Sequence, residues 1–304
     1  MNTNYNTVIV IGYGVITGHV LQTVYDNAGI YGYEIVYIEY ESHPFNQAKK
    51  LAAKYCINYC SLTDKNVLLN FFLKSRENGK TLIISASNNY IFPSILVDCE
   101  DIDIVNFHNA LLPKYPGRNA PSWVIYNSEP ETGITWHYVS SDIDTGDIIV
   151  QKKIAVAPDI KAYELVSELM NLAADSFDEI FKSILEENAV RIKQTILANR
   201  TVYKSFEIPG NGVFDLRDDP AKIYRLLRAT DYGKNNIFPK IKTSLNGQSI
   251  QIKRYKIVDD MNYANGELNY FIPYNEKFIL LKYEIDDSDS ETTILDSTKD
   301  NERI

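Results

Sequence analysis

Val8-Ile9-Val10-Ile11-Gly12-Tyr13-Gly14 is the stretch from which the fold can be read. Four consecutive β-branched apolar residues describe a strand covered on both faces, since a strand with one wet face would alternate. The glycines then turn it into a helix expected from about Thr17 to Asn27. Working outward, Glu34-Ile35-Val36-Tyr37-Ile38 reads as a second strand, 44–55 and 64–76 as helices, and Thr81-Leu82-Ile83-Ile84 as a further strand. Ile104-Val105-Asn106 leads into the next. This alternation predicts an α/β, Rossmann-like, mostly parallel sheet with helices on both faces. Ligands of such sheets gather at the carboxyl ends of the strands, where Asn106 stands.

The glycines at 12, 14 and 18 invite comparison with a dinucleotide fingerprint, with Glu39 after the second strand as the ribose ligand. The spacing is G-x-G-x-x-x-G and not G-x-G-x-x-G. A tight βα turn is the better reading, its helix N-terminus available to an anionic part of a substrate.

The chemistry concentrates in Asn106-Phe107-His108-Asn109-Ala110-Leu111-Leu112-Pro113-Lys114-Tyr115-Pro116-Gly117 and Ile143-Asp144-Thr145-Gly146-Asp147. Together these offer an amide, an imidazole and a carboxylate. Moving an acyl group between nitrogens requires donors for a developing oxyanion and a path for protons. An Asn amide and a His can supply both, and a carboxylate can hold the imidazole in one ionisation state. No G-x-S-x-G elbow supports an acyl-enzyme route. A turn cap would explain either block alone. Their co-occurrence in a chain with only four His (His19, His43, His108 and His137) favours the chemical reading.

With Thr132 to His137 (TGITWH) and Ile143 to Ile149 (IDTGDII) in register, the chain resembles the folate-dependent formyltransferases over roughly its first 200 residues. That resemblance implies Asn106, His108 and Asp144 as the catalytic group and 10-formyltetrahydrofolate as formyl donor. It also places a pterin pocket between Asn88, Tyr90, Ile91 and Phe92 on one side and the 139–143 stretch, with Val139, Asp142 and Ile143, on the other. Backbone groups would read the pterin edge. No metal is implied.

At 304 residues, 45% hydrophobic and 23% charged, the composition is that of a soluble globular protein. No apolar run approaches the roughly 18 residues that would span a bilayer, so a cytoplasmic protein is expected. Cys56, Cys60 and Cys99 do not make a zinc ligand set, and buried free thiols are expected. The net charge of −9 argues against a broad nucleic-acid surface. A small-molecule or carrier-borne amine is therefore the expected acceptor, with a nucleotide-linked amino sugar first, an aminoacyl carrier next and methionyl-tRNA third. Hydrolysis of the formyl folate ranks below these. A homodimer is the assembly allowed for.

The stripe of Leu165, Leu169, Leu172, Phe177, Ile180, Phe181 and Ile184 predicts a long core helix over 161–187. Pro209-Gly210-Asn211-Gly212 marks a linker, and Leu245-Asn246-Gly247-Gln248 a hairpin turn. The expected organisation is a catalytic domain over 1–208, a small β-rich domain over 209–285 and a mobile acidic tail over 286–304. Leu227 to Gly233 (LRATDYG) stands where the resembled family often carries R-A-x-x-x-P-x-P-G-A, a departure that bears on acceptor choice.

Overall fold

The computed structural model describes residues 3–43, 46–195, 200–235, 237–262 and 268–286. The expected tail beyond Asp286 lies outside the described residues, as does Pro44 at the start of the helix expected over 44–55.

The chain divides into two compact units between Phe206 and Glu207. In the first, β1 (Tyr5–Gly12), α1 (Gly14–Tyr31), β2 (Glu34–Tyr40), α2 (Gln47–Lys54), β3 (Asn58–Leu62) and α3 (Lys65–Ser75) follow one another. They lead to β4 (Lys80–Ala86), the short α4 (Ser94–Val97), β5 (Ile102–His108) and α5 (Ala120–Tyr126). An antiparallel pair, β6 (Glu131–Tyr138) and β7 (Ile148–Ala155), and the long α6 (Ala162–Leu185) complete it.

The sheet order is β3-β2-β1-β4-β5-β6-β7. Pairing is parallel from β3 through β5 and antiparallel from β5 to β6 and from β6 to β7. The fold is therefore the mostly parallel α/β sheet read from the sequence, and its order reverses between β1 and β4, where open sheets of this kind hold ligands.

Local chemistry sets the element ends. Asp64 caps α3 by accepting from the Asn66 and Val67 amides, and Asn46 does the same for α2 from Ala48 and Lys49. At the end of β1, Gly12 has φ 145, and a Cβ there would lie 1.9 Å from the Ala86 carbonyl oxygen. Only glycine permits β1 and β4 to approach so closely at the turn into α1.

Each sheet face has its own core. Ile9, Ile11, Ile38, Leu68, Phe72, Ile83, Tyr90 and Phe92 pack together on one side. On the other, α6 lays Leu165, Leu169, Ala173, Phe177 and Ile184 against the sheet, all fully buried. There Trp136 of β6 packs at a tilt against Phe107 and Phe177, at 5.4 and 4.9 Å between ring centroids, and its indole N–H donates to the Ala173 carbonyl at 3.1 Å.

The second unit holds α7 (Pro220–Ala229) and the strands β8 (Lys242–Leu245), β9 (Gln248–Val258), β10 (Asn269–Tyr274) and β11 (Lys277–Ile285), a separate antiparallel sheet ordered β10-β11-β9-β8. Asn246 and Gly247, at φ 52 and 80, make the expected two-residue turn between β8 and β9. Among the described residues no helix is long and apolar enough to cross a membrane.

Candidate active site

Because side chains alternate along a strand, Asn106 and His108 leave β5 on one face while Phe107 enters the α6 core on the other. Their cross-strand partners in β6 are His137 and Thr135. Directly opposed residues share a face, so two histidines and an amide meet there. Ser85 of β4 is Asn106's neighbour in the parallel register.

These neighbours fix the Asn106 amide. Ser85 Oγ donates to Asn106 Oδ1 at 2.7 Å. His137 Nδ1 lies 2.8 Å from the Tyr138 carbonyl, which places hydrogen on Nδ1 and leaves Nε2 as the acceptor of the neutral ring. Asn106 Nδ2, 3.2 Å from His137 Nε2, donates to it and keeps a second amide hydrogen. His137 is 2% exposed, and its burial pushes its pKa down to about 4 against the opposing pull of Asp144. It is neutral at ordinary pH.

His108 takes a different environment. Its Nε2 donates to the Tyr115 carbonyl at 2.8 Å, and its Nδ1 stands 3.5 Å from Asp144 Oδ2. Both ring nitrogens thus face oxygen acceptors. Asp144, with φ 54, comes from the loop between β6 and β7. Its Oδ1 lies 3.6 Å from His137 Nε2, and its Oδ2 accepts from the Gly117 amide at 2.7 Å. Burial acts to raise the Asp144 pKa, but the His108 charge, the Gly117 N–H and Arg200 outweigh it and hold the carboxyl below its usual range. Asn106, His108 and Asp144 are thus brought together, with His137 as a fourth member that the reading of TGITWH had given no role. The signal for it was the β6 register, which the sequence does not display.

The expected pocket residues fall into two groups. Tyr90, 6% exposed, and Phe92, 8% exposed, are core residues whose rings pack edge to face, and Val139 packs against the same cluster. Asn88 closes its amide on the Tyr90 backbone, accepting from its N–H and donating to its carbonyl. Ile91 is 73% exposed and Ile143 44% exposed. Asp142 is exposed, and its carbonyl accepts from the Ser140 and Thr145 hydroxyls. The 88–92 loop begins three residues after Ser85, one strand from Asn106.

Glu39 is buried at 1% exposure, and its oxygens accept from the His43 amide at 2.9 Å and the Tyr59 hydroxyl at 2.6 Å. The carboxylate that would hold a ribose is engaged inside the fold. Cys56 is exposed and Cys60 and Cys99 are half-buried, so the expectation of buried thiols is corrected. Their segments lie at a helix end, an edge strand and a loop, where neighbours cover one side only.

Known proteins place the chain in a family. The family model described as formyl transferase matches residues 12–178, more than half of the chain. The methionyl-tRNA formyltransferase of Clostridioides difficile (strain 630) is 28% identical over 190 residues, 62% of this chain and 59% of its own length. The chain thus spans less than two thirds of that relative. The methionyl-tRNA formyltransferase of Ruminiclostridium cellulolyticum is 26% identical over 260 residues, 83% of this chain and 81% of its own. Among solved structures, the N-formyltransferase of Helicobacter canadensis, in complex with folinic acid and dTDP-3-aminofucose, superposes with a TM-score of 0.66 at 18% identity, covering 91% of this chain and 98% of that one. At that identity the likeness is one of fold. The family-model match, carried on the same sheet that assembles Asn106, His108 and Asp144, identifies the chain as a member of the formyl transferase family.

Proposed function

We propose that the chain transfers a formyl group from 10-formyltetrahydrofolate to the primary amine of a nucleotide-linked amino sugar, with catalysis in the first unit. The observation that carries this reading is the meeting of an oriented Asn106 amide and His108, on one sheet face, with Asp144 from the β6–β7 loop. The amine nitrogen attacks the formyl carbon, and the oxyanion that forms is stabilised by the free Asn106 N–H and by His108. Collapse breaks the bond from carbon to N10 of the folate. The His108 imidazolium gives its proton to N10, the neutral ring then takes the proton that the amine loses, and the products are the formamide and tetrahydrofolate. Asp144 pairs with the imidazolium before and after the proton transfer, and none of the three forms a covalent bond to the acyl group. For His108 to act, its Nε2–H must leave the Tyr115 carbonyl.

Asn88, Tyr90, Ile91 and Phe92 on one side, and Val139, Asp142 and Ile143 on the other, are assigned to the pterin. The exposed apolar side chains of Ile91 and Ile143 suit a flat heteroaromatic ring, and the folinic acid bound by the Helicobacter canadensis protein supports a folate donor. The acceptor assignment draws on the net charge of −9 and on that protein's aminosugar nucleotide. A second reading, formylation of methionyl-tRNA, has the sequence relatives in its favour.

The test supplies labelled formyl donor side by side with a panel of amino-sugar nucleotides, an aminoacyl carrier protein and methionyl-tRNA. Label is expected in an amino-sugar nucleotide. Efficient formylation of methionyl-tRNA alone overturns the acceptor and leaves the donor chemistry standing.

A further inference from the structure

Residues 192–195 and 200–204 follow α6 and lie beyond the stretch matched by the family model, yet contacts from both flanks of the candidate site converge on them. Ile192 exchanges two backbone hydrogen bonds with Ile148 at 2.8 and 2.9 Å, which lays the segment along the start of β7. From there the Gln194 side-chain amide donates to the Asp144 carbonyl at 3.1 Å and to the Gly146 carbonyl at 2.6 Å. Arg200 Nη2 donates to the Ile143 carbonyl at 2.6 Å. Three carbonyls of the turn that carries Asp144 are thus held by two side chains, Gln194 and Arg200.

The same segment holds Asp144's donor. The Tyr203 amide donates to the Pro116 carbonyl at 3.0 Å, and its own carbonyl accepts from the Arg118 amide at 2.8 Å, bracketing Gly117. Gly117 has φ 91, and a Cβ there would lie 2.2 Å from the Tyr203 carbonyl oxygen, so the approach is one that glycine alone permits. The Tyr203 ring stacks on Tyr115, whose carbonyl accepts from His108 Nε2–H, and on Trp123, at 5.9 and 4.4 Å between centroids. Asp144 has φ 54, a backbone region that favours glycine and that Asp adopts more readily than most other residues.

We infer that residues 192–195 and 200–204 act as a strap whose Gln194, Arg200 and Tyr203 are positioning residues, holding the Asp144 carboxylate against His108 and the Gly117 amide. None of the three is placed on the substrate. This inference rests on the catalytic role proposed for Asp144, and it adds that the carboxylate's alignment is set from outside the sheet.

The test is a titration that needs no formyl donor. In the full chain labelled with carboxyl-13C aspartate, the Asp144 resonance is identified by its loss in Asp144→Asn and followed with pH in wild type, Gln194→Met, Arg200→Met and Arg200→Lys. Removing a strap donor is expected to raise the Asp144 midpoint by about one unit, the size of shift that loss of an aligned opposite charge or donor produces. Arg200→Lys, which keeps a charged donor, is expected to stay near wild type. With the acceptor found in the panel, the two methionine variants should lose kcat by about tenfold with little change in the KM for the folate. A midpoint unchanged within error in either methionine variant overturns the strap. So does an equal rise in Arg200→Lys, which would mark a general loosening. Should Gln194→Met not fold, the Arg200 pair decides alone. A chain that meets the titration but transfers no formyl group to any acceptor refutes the proposed reaction and not the strap.

Discussion

His137 shows how one buried ring can serve a neighbour without touching substrate. Its Nδ1 is committed to the Tyr138 carbonyl and its Nε2 receives the Asn106 amide, so protonating it would turn an acceptor into a donor facing a donor. The native ring resists that down to about pH 4, whereas a histidine in an unfolded chain titrates near about 6.5. Between those values the unfolded state binds a proton that the native state does not, so stability falls as pH is lowered through the window. The full loss is roughly 3 kcal/mol, and below the native pKa it grows no further. Asp144 acts in the next window down, because a depressed carboxyl pKa contributes stability that is lost as pH falls through the native value. Urea unfolding of wild type and His137→Asn at intervals from pH 7 to about 4 should give a wild-type stability that falls more steeply with acid. Parallel curves would show that His137 is not held neutral by the fold.

The elements show which parts of the fold could be read and which could not. β1, its glycine turn and β5 were legible because a continuous apolar run followed by a turn has few other meanings, and α6 because its stripe keeps helical spacing. β3 was missed, since Asn58-Tyr59-Cys60-Ser61-Leu62 is an edge strand with no buried residue and hence neither alternation nor an apolar run. α4 and α5, at four and seven residues, are too short for periodicity to register. Asn106, His108 and Asp144 were legible as residue types at family spacing. Ser85, His137 and the strap were not, because each enters through strand register or through side chains reaching distant carbonyls. The packing of β5 and β6 on α6 rests on Trp136, fully buried between Phe107 and Phe177. Trp136→Ala should cost about 3–5 kcal/mol, by lost burial and the cavity left behind, and should weaken the pairing that sets Asn106 opposite His137. Calorimetric melting together with amide exchange on β5 and β6 measures both. A loss below about 1 kcal/mol, the scale of an ordinary surface change, would mean that the two strands do not depend on that contact.

At the scale of the molecule, one unit carries the proposed chemistry and the other a sheet of its own. The sequence departs from its resembled family in the second unit, at Leu227 to Gly233. Arg228 in that stretch is buried at 7% exposure with its guanidinium over the Tyr224 ring, and the Tyr255 hydroxyl donates to Asp231, so the segment works as core in this chain. That leaves acceptor choice to experiment and leaves the donor half of the reaction with Asn106, His108 and Asp144. The most direct measurement is the single-turnover transfer of labelled formyl from 10-formyltetrahydrofolate to the amine found in the panel, run with wild type, Asn106→Ala, His108→Ala and Asp144→Asn after each is shown to bind 5-formyltetrahydrofolate. Each variant should retain folate binding and lose transfer by a factor on the order of 100 or more, as removal of an oxyanion donor or a proton carrier does. Transfer near the wild-type rate in any one of the three, at saturating substrate, would contradict the role given to that residue, and in all three would contradict the site.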